Sequence, residues 1–191
     1  KNKADDDSKM QSVEADRVLV TVGRRPRSEG LAPTGVALDE RGFVVADGRC
    51  RTNEPGVWAV GDIINTPALA HVAFAEGMLA IRDILGEEPT PLDHHGTPWC
   101  IYCHPEVAFA GHTEESAKEA GFDVVTSKHS FIGNGRAKIV GETDGVVKVV
   151  AEKRPDGTGG RILGVHMVGP WVTEQLGQGY LAVNWEATVD D

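Results

Sequence analysis

Cysteine is scarce in this sequence, which has three: Cys50, Cys100 and Cys103. An odd and sparse set argues against the disulfide framework of a small secreted protein, and a reducing, cytoplasmic setting is the expectation. Long apolar runs are missing too. Nothing approaches the roughly 18 consecutive apolar residues that a membrane-spanning helix needs. Positive charge is in deficit, with 19 Lys and Arg against 29 Asp and Glu, a formal net charge of −10. That balance speaks against a nucleic-acid backbone or an anionic membrane as partner. There are no internal repeats and no low-complexity tract, and the first residues are polar and acidic where a secretory leader would be apolar.

What is present reads as an ordinary globular chain. Its 191 residues are 40% hydrophobic and 25% charged, enough for one or two modest domains. Lys1 to Ser12 reads as a polar loop or frayed hairpin, and the consecutive Asp5, Asp6 and Asp7 cannot all face one ion. A first residue other than Met suggests a piece of something larger. Asp16 to Gly23 (DRVLVTVG) predicts a buried strand on its Val and Leu content, ending in a Gly23-Arg24-Arg25-Pro26 turn. Leu31 to Arg51 holds turn signals at Pro33-Thr34-Gly35 and Leu38 to Gly42, with a short strand near Gly42 to Ala46.

The chain is organised around Thr52 to His71. Val57, Trp58, Ala59 and Val60 form a continuous apolar run that suits a strand buried on both faces. Gly61 permits close backbone approach at its end, and Asp62 places a carboxylate at the mouth of the sheet. Thr66 as N-cap and Pro67 in the first turn predict a helix over Pro67 to Leu85. Its apolar face is Phe74, Met78, Ile81 and Leu85, at i, i+4, i+7 and i+11, with Gly86 as the stop. Strand ends and helix N-termini are where open α/β sheets take anionic ligands.

Glu87 to Pro98, with three prolines and no apolar period, predicts a linker and a domain boundary near Pro91. Beyond it, Trp99 to His104 and Val107 to Ala110 read as strands, and Thr113 to Ala120 as a short helix capped by Thr113. Phe122 to Phe131, Ala137 to Val140, Val146 to Ala151 and Ile162 to Val168 read as further strands. Thr173 to Trp185 is the last helix, with Leu176, Tyr180 and Val183 on one face.

Two patterns invite over-reading. Cys100-Ile101-Tyr102-Cys103-His104 matches the spacing of c-type haem attachment. It lies in a strand-like run without an export signal, and zinc would need two more ligands, for which only His94 and His95 are near. Gly177-x-Gly179-x-x-Ala182 satisfies a relaxed dinucleotide fingerprint but follows Glu174-Gln175-Leu176 where a buried strand is required. A glycine-containing helix that approaches a neighbour closely, across a dimer interface, is the expectation there. Cys50 is expected to be an inert thiol on a turn.

Thr52-x-x-Pro55-Gly56-Val57-Trp58-Ala59-Val60-Gly61-Asp62 resembles the second flavin-binding motif of the FAD- and NAD-dependent disulfide oxidoreductases. Val20-x-x-Gly23-Arg24-x-Pro26 is similar to the segment by which that family's chain leaves its NAD domain for its FAD domain. Tyr102-x-His104-Pro105-Glu106-Val107-Ala108-x-x-Gly111-x-Thr113-Glu114-Glu115 resembles the start of the family's interface domain. Arg136-Ala137-Lys138, Asp144-Gly145-x-Val147-Lys148 and Ile162-Leu163-Gly164-Val165-His166 follow in order. The resemblance implies an α/β (α+β) fold: the C-terminal part of a flavoprotein with two dinucleotide-binding domains, plus an α+β interface domain. It implies that 1–22 end the NAD-binding domain, 23–91 complete the FAD-binding domain, and 92–191 form a dimerisation domain cut before the catalytic His segment.

By the same resemblance Gly61 and Asp62 meet FAD, the carboxylate taking the ribityl chain. Ala68, Leu69, Ala70 and His71 lie against the flavin through their backbone, and Gly23 lies against NAD. On the residues alone, Arg24 and Arg25 read equally well as solvated cations. The reaction implied passes electrons from a dithiol to an enzyme disulfide, to FAD and to NAD⁺. Members that oxidise a protein-bound dihydrolipoyl dithiol match best at Pro67-x-Leu69-Ala70-His71-x-Ala73. Their implied partners are a second copy and the lipoyl-bearing acyltransferase of a 2-oxo acid dehydrogenase complex. A glutathione- or mercuric-reductase-like enzyme, or a soluble transhydrogenase, is the alternative. The sequence holds no Gly-x-Gly-x-x-Gly, no cysteine pair separated by four residues and no His-Pro-x-x-x-x-Glu. No catalytic residue is therefore expected in it. The isolated chain is expected to be inactive, with an inactive dimerisation module as the other reading.

Overall fold

The computed structural model describes residues 12–191; the acidic triplet of the first segment lies outside them. The segment expected to be a buried strand, 16–23, forms no strand and is unpaired among the described residues, and Val18, Leu19, Val20 and Val22 are exposed. A parallel-type strand exists only through its neighbours' hydrogen bonds, and no described strand lies beside this one. Val57 to Val60 behaves similarly. It makes one isolated antiparallel bridge, Trp58 to Arg51, and Val57 and Val60 stay partly exposed. The strand expected near Gly42 to Ala46 is reduced to bridges from Val44 to Leu38 and Ile64.

Helix α1 spans Ala70–Ile84 and starts later than the Pro67 signal suggests. Leu69 is its N-cap without a side-chain cap, and Thr66 instead turns its N–H to the Ile64 carbonyl. The face buried by α1 is also not the expected one. Phe74, Met78, Ile81 and Leu85 point outward, while Val72, Glu76, Leu79, Ala80 and Asp83 are buried. Leu79 and Ala80 join Val44, Cys50 and Ile64 in a small core, with Trp58 packed against it. Two charged residues tolerate burial because each has partners: Gly61 for Glu76, and Arg51 and Trp58 for Asp83.

The remainder builds a five-stranded antiparallel sheet, β1 (Trp99–Ile101), β2 (Glu106–Gly111), β3 (Val124–Ser130), β4 (Val146–Lys153) and β5 (Gly159–Gly169), in the order β1-β2-β5-β4-β3. Ala108 and Ala110 of β2 and Val165 and Met167 of β5 alternate along their strands, so each pair faces one side. Helix α4 (Val172–Asn184) lays Val172 and Leu176 on these residues, and Tyr180 and Val183 extend the stripe. Gly179 sits where a Cβ would stand 2.9 Å from Val165 Cγ1. The close approach expected of this glycine is thus made inside the fold, against β5.

Helix α2 (Glu114–Glu119) carries the expected Thr113 cap. Thr113 Oγ1 accepts the Ser116 N–H, and Ser116 Oγ accepts the Thr113 N–H. Glu114 pairs with Lys148 of β4. Ala137 to Val140, expected as a strand, belongs instead to a short helix α3 (Gly135–Val140). Asn134 Oδ1 caps it by accepting the Ala137 N–H, and Gly141 closes it at φ +77°. The N-terminus of α4 is capped from a distance: Glu106 Oε2 accepts the Thr173 N–H at 3.1 Å and the Thr173 hydroxyl at 2.7 Å. Those bonds hold the Glu106 carboxyl below its usual range.

Candidate flavin-site wall

The backbone arrives at Val60 in extended geometry and turns into a single 3₁₀ turn, Gly61–Ile63. Gly61 has φ +74°, and a Cβ there would stand 3.3 Å from Ala73 Cβ of α1. Only glycine combines that dihedral with that proximity at low cost. The turn is closed by the Ile64 N–H on the Gly61 carbonyl at 3.0 Å. Asp62 then projects from it, half exposed, and pairs with the Arg24 guanidinium. Residues 38 positions apart, the Gly-Arg-Arg-Pro turn and the Gly-Asp turn, are therefore brought together. Arg24 is thus a largely solvated cation that is ion-paired with Asp62, and Arg25 is exposed beside it.

Between these turns lies a cleft of about 580 Å³. Arg24, Arg25, Arg27 and Arg41 line it together with Asp62, Ile63 to Thr66 and Ala68. In a chain of net charge −10, four guanidiniums on one cleft make a local positive field suited to a phosphate-bearing ligand. Arg41 is fixed there with its guanidinium 5.1 Å from the Phe43 ring centroid. The Thr66 hydroxyl is buried with no hydrogen-bond partner among the described residues, an unused donor and acceptor in the same wall. Arg27 and Arg41 carried no signal in the sequence as cleft residues, and Thr66 was read there as a helix N-cap, because only the folded loops make the three converge.

Of the residues singled out for the cofactors, Gly61 and Asp62 form the turn, Ala68 reaches the cleft wall, and Leu69 is the N-cap of α1. Ala70 and His71 open that helix, whose first N–H groups have no side-chain cap. The His71 imidazole turns away to donate from Nε2 to the Pro98 carbonyl at 2.9 Å. Gly23 has φ +82° and open space around its Cα. Trp58, from the same motif, donates its indole N–H to Asp83 at 2.9 Å, and Arg51 holds Asp83 through Nε at 2.5 Å and Nη2 at 2.6 Å. The Arg51 bonds, and then Trp58, hold the Asp83 carboxyl below its ordinary range. This trio is a structural clamp under the motif. Cys100 and Cys103 address different acceptors, the Thr173 and Pro105 carbonyls.

Comparison with known proteins matches residues 2–77 to the pyridine nucleotide-disulphide oxidoreductase model and residues 97–191 to the dimerisation domain of the pyridine nucleotide-disulphide oxidoreductases. The chain belongs to the pyridine nucleotide-disulphide oxidoreductase family. Within it, the chain is 39% identical over 189 residues to a dihydrolipoyl dehydrogenase of Cupriavidus necator, covering 98% of the chain and 39% of the relative. It is 41% identical to the mitochondrial dihydrolipoyl dehydrogenase of Caenorhabditis elegans, covering 97% and 37%. The chain thus spans under two fifths of the length of these relatives. Among solved structures, LpdA from Mycobacterium tuberculosis matches with a TM-score of 0.78 at 26% identity, over 89% of this chain and 37% of that one. The flavoprotein disulfide reductase RclA from Escherichia coli matches with a TM-score of 0.70 at 26% identity, over 85% and 37%.

Proposed function

We propose that this chain supplies one wall of the flavin site and the dimerisation domain of a dihydrolipoyl dehydrogenase. In this reading residues 1–22 end an NAD-binding domain, 23–91 complete an FAD-binding domain, and 92–191 pair with a second copy. Asp62 takes the ribityl chain of FAD, the Gly61 turn lets the cofactor approach the backbone, and Ala68 to His71 meet the ring through the uncapped start of α1. Gly23 faces the nicotinamide. The observation that carries the reading is the arginine-lined cleft beside Asp62, with the unpartnered Thr66 hydroxyl in its wall.

The parent reaction oxidises a dihydrolipoyl dithiol to its disulfide, and the two electrons and one proton end on NAD⁺ as NADH, with release of the other proton. The bound flavin supplies the two-electron relay between thiol and nicotinamide chemistry. This chain's residues serve it by orientation and electrostatics: the α1 N-terminus favours negative charge on the ring, and Asp62 fixes the ribityl chain. The dithiol's carrier is the lipoyl-bearing acyltransferase of a 2-oxo acid dehydrogenase complex, and the setting is cytoplasmic. The alternative within the family is a glutathione- or mercuric-reductase-like enzyme or a soluble transhydrogenase.

The test is the native protein purified from its source. It should absorb near 450 nm, roughly where oxidised flavin does, and reduce NAD⁺ with dihydrolipoamide. Asp62→Ala should release the flavin. A colourless native protein, or one that ignores dihydrolipoamide, overturns the reading. The 191-residue chain alone should be colourless and inactive.

A further inference from the structure

Glu76 lies in the second turn of α1 with its side chain 1% exposed. Its Oε2 accepts the Gly61 N–H at 2.6 Å. Its Oε1 is buried and has no hydrogen-bond partner among the described residues, with His94 Nε2 facing it at 3.9 Å. Three residues earlier on the same helix face, Ala73 is the residue that Gly61 packs against. Helix α1 therefore presents Gly61 with two things at i and i+3: a small side chain that lets the backbone come close, and an acceptor for its N–H. Gly61 opens the 3₁₀ turn, so no intra-turn acceptor exists for that N–H. A buried carboxylate is a costly way to meet one amide, which argues that the geometry it enforces is used.

We propose that Glu76 is a positioning residue for Asp62. Its carboxylate pins Gly61, and the pinned turn aims the next residue, Asp62, at the arginine-lined cleft. What Asp62 holds there rests on the flavin reading above; the pinning itself does not. The role is that of an acceptor at the right reach, so side-chain length matters and charge does not.

The experiment follows the Gly61 amide by NMR in the ¹⁵N-labelled 191-residue chain, with Glu76→Gln, Glu76→Asp and Glu76→Leu. Gln keeps an oxygen at the same reach, and amide exchange should stay within about threefold of the parent. Asp keeps the charge but shortens the arm; exchange should speed up about tenfold or more, and the Asp62 cross-peak should shift. Leu should resemble Asp if it folds, and the Asp and Gln pair decides the matter if it does not. An unchanged Gly61 amide in Glu76→Asp, or rescue by Asp and not by Gln, overturns the proposal. In the native flavoprotein Glu76→Asp should weaken FAD retention about tenfold and Glu76→Gln should not. Flavin retained by Asp62→Ala would instead sink the flavin reading, leaving the amide result to stand on its own.

Discussion

The two parts of the chain differ in how far they complete themselves. From Trp99 onward, strands pair with neighbours close in sequence or one crossover away, and α4 seals the sheet with Leu176 at 1% exposure. Before Leu92, the described residues make only isolated bridges, and α1 leaves Phe74 at 75% exposure. In this antiparallel sheet the β1–β2, β3–β4 and β4–β5 pairs find their partners within a short stretch of chain, and one pairing, β2–β5, joins the two hairpin-linked groups. A parallel dinucleotide-binding sheet draws its strands from distant segments, so apolar runs such as 18–22 gain nothing from local neighbours. The positively charged cleft belongs to the less complete part, and the self-contained core belongs to the other.

Breaking that core should have the largest effect. Leu176→Ala removes a fully buried side chain at the centre of the α4 stripe and should cost about 2–5 kcal/mol in urea unfolding. Gly179→Val drives new methyl groups into Val165 and should cost about 1–3 kcal/mol, with α4 displaced from β5. Glu106→Gln has a smaller effect with a pH signature. The folded-state pKa of Glu106 is depressed, so its contribution is present above the unfolded carboxylate range and disappears as pH falls through the folded value. The melting temperatures of parent and Glu106→Gln should therefore differ at neutral pH and converge in acid. Smallest is Phe74→Ala, which deletes a large apolar side chain yet should change stability by no more than about 0.5 kcal/mol, because that side chain is already in solvent. A Phe74→Ala cost approaching that of Leu176→Ala would erase the contrast between the two parts.

The sequence displayed the self-contained part well. The Thr113 cap, the α4 stripe and all five strands of the sheet follow from local pattern alone. Ala137 to Val140 misleads because four residues are too few to show a period. The flanking Asn134 and Gly141, a helix cap at each end, were the better signal. Helix α1 misleads for another reason: periodicity assigns Glu76 and Asp83 to water, and only tertiary partners make them interior. In the cleft, Asp62 was legible through resemblance to a motif. Arg24 was ambiguous, and the convergence of Arg27 and Arg41 depends on loop geometry that no local pattern encodes.

Cys50 connects these points to something measurable. It is buried under α1 at φ +65°, and burial, with Glu76, Asp47 and Asp83 nearby, pushes its thiol up to about 11. The thiolate is the species that alkylating reagents capture, so in the folded molecule this sulfur is both shielded and almost wholly protonated. Cys100, against α4, is also raised by its burial, whereas Cys103 is exposed. The chain thus carries three native labels with different clocks. Cys103 should react at once, Cys100 when the sheet and α4 separate, and Cys50 when α1 lifts from the loops beneath the cleft. Mass spectrometry of timed iodoacetamide labelling would then time the opening of each part within one molecule, with no engineered probe.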